Sequence, residues 1–124
     1  MQQSPGLAIA HSSIAILYER LGEAALAESH FERSISLDTA DSRLRNNYGR
    51  FLCRHRTLDA AIVQFDLAAN NPLYQTPYRP LVNAGICSLN ANKLEQAEQY
   101  LRQALRRQPK LALALAGMTK ISVL

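Results

Sequence analysis

The sequence predicts an all-α solenoid of three helix-turn-helix hairpins and a trailing helix. Three observations carry that expectation. A small–small–bulky–small pattern recurs with internal spacings of 12, 4 and 3 residues, at Ala15/Ala27/Phe31/Ser34, Gly49/Ala61/Phe65/Ala68 and Gly85/Ala97/Leu101/Ala104. Its first two copies are offset by 34 residues and its last two by 36, a period typical of stacked helical pairs. Turn and start signals also fall where such hairpins need them, at Gly22, at Thr76-Pro77 and at Asn92.

Each element follows in order. Residues 1–7 are expected to be a disordered or expression-derived start. The first copy spans 8–41, with Ile14 and Tyr18 on the core face of its first helix and Gly22 as the left-handed residue of its turn. The second spans 42–75, with Tyr48 and Leu52 on the equivalent face. The third spans 78–111, where Thr76 and Pro77 supply an N-cap and a first-turn proline, and Leu81 faces the core. Asn92 with Glu95 three residues later reads as a near capping box for its second helix. Residues 112–124 read as the first helix of an incomplete fourth copy. The small residues are needed where two helices cross closely, and Phe31, Phe65 and Leu101 fill the space they leave.

Composition narrows the function. With 48% hydrophobic and 19% charged residues, the chain is neither a disordered tail nor a polyelectrolyte. No run approaches the ~18 apolar residues of a membrane span. The opening MQQSPGLAIAHSS has neither a basic n-region nor a long apolar core, so no signal peptide is expected in it. The formal charge of +4 is uneven. Residues 1–41 carry six acidic side chains against Arg20 and Arg33, whereas 42–58 carry Arg43, Arg45, Arg50, Arg54 and Arg56 and no acid. A second basic set runs from Arg102 to Lys120. Catalysis is not expected: Cys53 and His55, two apart on a helix, point to different faces, and no phosphate loop or GxSxG motif occurs. Cys53 and Cys87, with no CxxC, make no metal set, so no cofactor is expected; they are two buried thiols or one disulfide.

The period and the pattern resemble the tetratricopeptide (TPR) repeat, which implies a right-handed superhelix whose inner groove is lined by first helices. Groove positions are then Ile9, Ser12, Ile16, Glu19 and Arg20 in copy one, and Arg43, Asn46, Arg50, Cys53 and Arg54 in copy two. In copy three they are Arg79, Val82, Ile86, Leu89 and Asn90. An Arg43–Asn46–Arg50–Arg54 stripe on this groove suits a peptide with apolar anchors and carboxylates. The carboxylate clamp of chaperone-binding TPR domains is matched only at Asn47 and Arg79, and not at Ser12, Ile16 or Asn83.

Within that superfamily, NNYGRFLC (Asn46–Cys53), NPLYQTPYRPL (Asn71–Leu81) and LEQAEQYLRQALRRQP (Leu94–Pro109) resemble the PilF/PilW family of type IV pilus biogenesis proteins. The resemblance implies a pilotin-like interaction scaffold, supporting localisation or multimerisation of the outer-membrane secretin. It implies a lipoprotein on the periplasmic face of the outer membrane, with the anchor outside this segment. The implied partners are the secretin or other pilus-assembly proteins, with no nucleic acid. Because relatives carry cysteines at both places and a periplasm permits oxidation, it also favours a Cys53–Cys87 disulfide. Two other readings stand beside it: a general cytosolic TPR peptide adaptor, and a nucleic-acid-binding repeat using the arginine stripe.

Overall fold

The computed structural model describes residues 5–123 of the chain. Among these residues there are seven helices and no strand: α1 (Pro5–Arg20), α2 (Ala24–Leu37), α3 (Ser42–His55), α4 (Leu58–Ala69), α5 (Tyr78–Asn90), α6 (Leu94–Arg107) and α7 (Ala112–Val123). They pair as hairpins α1–α2, α3–α4 and α5–α6, and each second helix packs on the first helix of the next pair. The chain is a solenoid of stacked helical hairpins.

The start differs from expectation. Residues 1–4 lie outside the described residues, but residues 5–7 belong to α1 instead of forming an irregular lead. Pro5 fits a first helical position, where its missing N–H costs nothing. The trailing helix α7 runs to Val123, and Leu124 lies outside the described residues.

The crossings explain the recurring small residues. A Cβ added to Gly49 would lie 2.7 Å from the Phe65 ring, and one added to Gly85 would lie 2.6 Å from Leu101. Leu101 is gripped from its other side as well, because a Cβ on Gly117 of α7 would meet it at 2.7 Å. Ala15, Ala27, Ala61, Ala68, Ala97 and Ala104 are fully buried, and so are Phe31 and Phe65. Ser34, the polar member of the set, is buried and donates its hydroxyl to the Ala8 carbonyl at 2.7 Å. That bond satisfies the hydroxyl and ties the start of α1 to the end of α2.

Two of the three turns use the same geometry. Gly22 has φ 80°, and Asn92, at the equivalent repeat position, has φ 61°. The amides of Gly22 and Glu23 bond to the Glu19 and Tyr18 carbonyls, and those of Asn92 and Lys93 to Leu89 and Ser88. Asn92 therefore turns the chain, and it does not open a capping box with Glu95; Lys93 stands at the N-cap without a side-chain bond. The middle hairpin lacks a left-handed residue, and Thr57 starts α4 by accepting the Ala60 amide at 3.2 Å. Pro77 already has helical angles, φ −64° and ψ −16°, just ahead of α5.

Ile14 departs from the sequence reading: it is 39% exposed, whereas Tyr18 is partly buried against the core. At the position where tetratricopeptide repeats favour a tryptophan, Leu81 is buried, whereas His11 and Arg45 are held by polar bonds. His11 meets His30 through their Nδ1 atoms at 2.9 Å, and Arg45 donates to Gln64 at 2.9 Å.

Candidate functional site

The first helices α1, α3 and α5 form one face, and three adjoining hollows along it meet at Arg50. The first, about 460 Å³, lies between α1 and α3 and includes Ile16, Glu19, Asn47 and Arg54, with Phe31 in its wall. The second, about 430 Å³, lies between α3 and α5 and includes Asn46, Arg79, Val82 and Leu113. The third, about 270 Å³, holds Ile86, Asn90 and both cysteines. Arg50 lines all three.

The expected arginine stripe does not stand as a row of equivalent cations. Arg43 is turned back onto Asp41, its Nη2 2.8 Å from Oδ2, because Asp41 also caps α3 by accepting the Arg43 amide at 2.9 Å. Arg54 donates Nε and Nη2 to the two Glu19 oxygens at 2.7 and 2.9 Å, a bidentate pair. His55 Nε2 meets the same carboxylate at 2.8 Å. The Arg54 hydrogen bond is the main cause that holds the Glu19 carboxyl below its ordinary value. Among the described residues, Arg50 has neither an ion pair nor a hydrogen bond, so it is the cation of the stripe still available to a ligand.

Other groove assignments change with the packing. Ser12 and Val82 are 3% and 5% exposed. Their repeat position faces the neighbouring first helix as much as solvent, and Ser12 accepts a hydrogen bond from Asn47 at 3.3 Å. Ile9 is open to solvent at 41% exposure. Asn83 donates to Asn46 at 3.0 Å, one inter-helix bond further along. Arg79 lies over the Tyr78 ring, 5.8 Å from its centroid. The sequence reading missed the Glu19–Arg54–His55 cluster. The available signal is an acid and a base 35 residues apart, one residue more than the 34-residue offset between the first two copies, which a search for charges near that offset finds.

Cys53 on α3 and Cys87 on α5 are joined by a disulfide, with Cα atoms 6.1 Å apart. It forms part of the third hollow, beside Arg50. Cys53 is thereby not a free nucleophile, and His55 is engaged by Glu19. Among the described residues no helix is long and apolar enough to cross a membrane.

A solenoid of hairpins with a polar, partly apolar inner face defines a helical-repeat scaffold. The profile of the tetratricopeptide repeat matches residues 8–41 and 78–111, and the chain belongs to that family. The type IV pilus assembly protein PilF of Pseudomonas aeruginosa is 30% identical over 121 residues, covering 95% of this chain and 48% of PilF. The crystal structure of PilW, described as a widely conserved type IV pilus biogenesis factor, is 30% identical with a TM-score of 0.85; the match covers 97% of this chain and 55% of PilW. The chain is thus homologous to these pilus biogenesis factors and spans about half their length. The first TPR domain of Spaghetti (RPAP3), 18% identical with a TM-score of 0.84 over 98% of this chain and 95% of that one, shares the fold alone.

Proposed function

We propose that the chain is part of a non-catalytic protein-interaction scaffold for type IV pilus biogenesis. In this reading it acts in a pilotin-like way at the periplasmic face of the outer membrane, supporting localisation or multimerisation of the pilus secretin. The 30% identity to PilF, running over 95% of the chain, carries the proposal. The face around Arg50 is the natural seat for the partner, an extended segment with a carboxylate for the guanidinium and apolar side chains for the hollows lined by Ile16 and Ile86.

Deleting the gene in its native bacterium tests the role. Loss of surface pili together with fewer assembled secretin multimers is the expected outcome. The full-length gene product carrying Arg50→Glu should restore less of both than the unaltered protein. Normal piliation and normal secretin multimers in the deletion strain would refute the assignment.

A further inference from the structure

One pair of repeat positions comes together in every hairpin, and in the first hairpin both members are imidazoles. The positions lie 19 residues apart, one on each helix: His11 and His30, Arg45 and Gln64, Leu81 and Tyr100. In the second hairpin Arg45 donates to Gln64 at 2.9 Å, and in the third Leu81 and Tyr100 share one apolar cluster. The fold brings these positions together whatever side chains they carry. The meeting of the two histidines therefore does not depend on their own attraction. It runs across the hairpin, so no spacing along a single helix reveals it.

The Nδ1 atoms of His11 and His30 stand 2.9 Å apart. The two rings stack with centroids 5.2 Å apart, and Tyr18, two turns further along α1, stacks on His30 at 5.5 Å. His30 is thus flanked by two rings of α1, and both imidazoles remain partly exposed. Their hydrogen bond needs a proton on one Nδ1 and a lone pair on the other. Two nitrogens bound at about 2.0–2.1 Å to one metal ion stand about 2.9 Å apart when they meet at a right angle, and about 3.3–3.4 Å apart at the tetrahedral angle. The pair has the spacing of neighbouring ligands on a square-planar or tetragonal ion, the geometry of Cu(II) and Ni(II) and not of Zn(II).

We propose that His11 and His30 form a two-imidazole site for Cu(II), which joins α1 to α2 through the Nδ1 atoms. Among divalent first-row ions, Cu(II) binds nitrogen sites most tightly. No group of three His, Cys, Asp or Glu side chains gathers around a metal position among the described residues, so water completes the coordination. When the ion enters, the donor ring moves its proton from Nδ1 to its own Nε2 by way of solvent. Both Nδ1 lone pairs then face the metal, both rings stay neutral, and no proton is released overall. The ion takes the place of the hydrogen bond as the cross-link within the first hairpin. Neither histidine lines the three hollows that meet at Arg50, so the site is separate from the groove. It is also independent of the pilus assignment, because repeat geometry alone creates it.

The test titrates Cu(II) chloride into the oxidised, tag-free chain in a non-coordinating buffer. Pulsed electron paramagnetic resonance of the parent chain should show two imidazoles on one ion, a readout that needs no variant to fold. Copper should also raise the thermal midpoint, because the two rings are held together only in the folded hairpin. His11→Gln and His30→Gln should each weaken binding at least ~10-fold and remove the two-imidazole signal, since the second ring captures an ion already held by the first. His55→Gln should change neither affinity nor signal. A single-imidazole signal in the parent, unchanged affinity in both His11→Gln and His30→Gln, or loss of the signal in His55→Gln overturns the proposal.

Discussion

The two joints between complete hairpins are closed at the same level of their first helices, by different chemistry. Between the first and second hairpins the closure is electrostatic, with Glu19 of α1 held by Arg54 and His55 at the end of α3. Between the second and third it is covalent, through Cys53 and Cys87. Beneath both runs the same apolar spine, with Phe31 in one joint and Phe65 in the other. The spine makes the helices stack, and the closures set how firmly neighbouring first helices are held beside Arg50. One joint should answer to pH and salt, the other to reductant.

The largest effects belong to the shared spine. Phe31→Ala and Phe65→Ala should each lower unfolding free energy in urea by about 3–5 kcal/mol, through lost burial and the cavity left behind. If Phe31→Ala costs far less than Phe65→Ala, the two joints are not built alike. Next comes the covalent closure. Replacing both cysteines with Ala should lower stability by about 3–4 kcal/mol, given a loop of 34 residues and the usual loop-entropy relation. Reductant should destabilise the parent chain and leave that double variant unchanged.

Smaller effects sharpen the contrast. Because the middle hairpin lacks a left-handed turn residue, it depends more on its cap, and Thr57→Ala should cost about 1 kcal/mol in thermal unfolding. Glu19→Gln should cost less than about 1 kcal/mol, since Arg54 is half exposed and water screens the pair. The folded-state carboxyl of Glu19 titrates below its ordinary 4.5, held there first by the Arg54 hydrogen bond. Its contribution is therefore complete above that ordinary value and is lost as pH falls through the lower folded value. A titration of stability below pH 4.5 should show a shallower acid loss in Glu19→Gln than in the parent.

Much of the fold is legible in the sequence because close helix crossings tolerate few residue types. A Cβ on Gly49 or Gly85 would press on Phe65 or Leu101, and the first copy has only Ala15 there, so the first position of the 12-4-3 spacing marks places that favour the smallest residues. The binding face is less legible, because side-chain partners lie one repeat away and not along the same helix. Arg54 reads as a free cation until Glu19 is placed beside it, and Arg43 until Asp41 folds back as a cap. Ser12 and Val82 read as groove residues because the inner face and the contact between neighbouring first helices share an edge. Asn92 reads as a cap because asparagine serves both as a cap and as a left-handed turn residue, and only backbone geometry separates the two.

Amide hydrogen exchange on the oxidised and the reduced chain distinguishes the two joints most directly. Reduction should speed exchange in the later turns of α3 and α5, around Cys53 and Cys87, and leave α1 and α2 at their oxidised rates. Equal acceleration along all the helices, or acceleration centred on α1 and Glu19, would contradict a solenoid whose joints are closed separately.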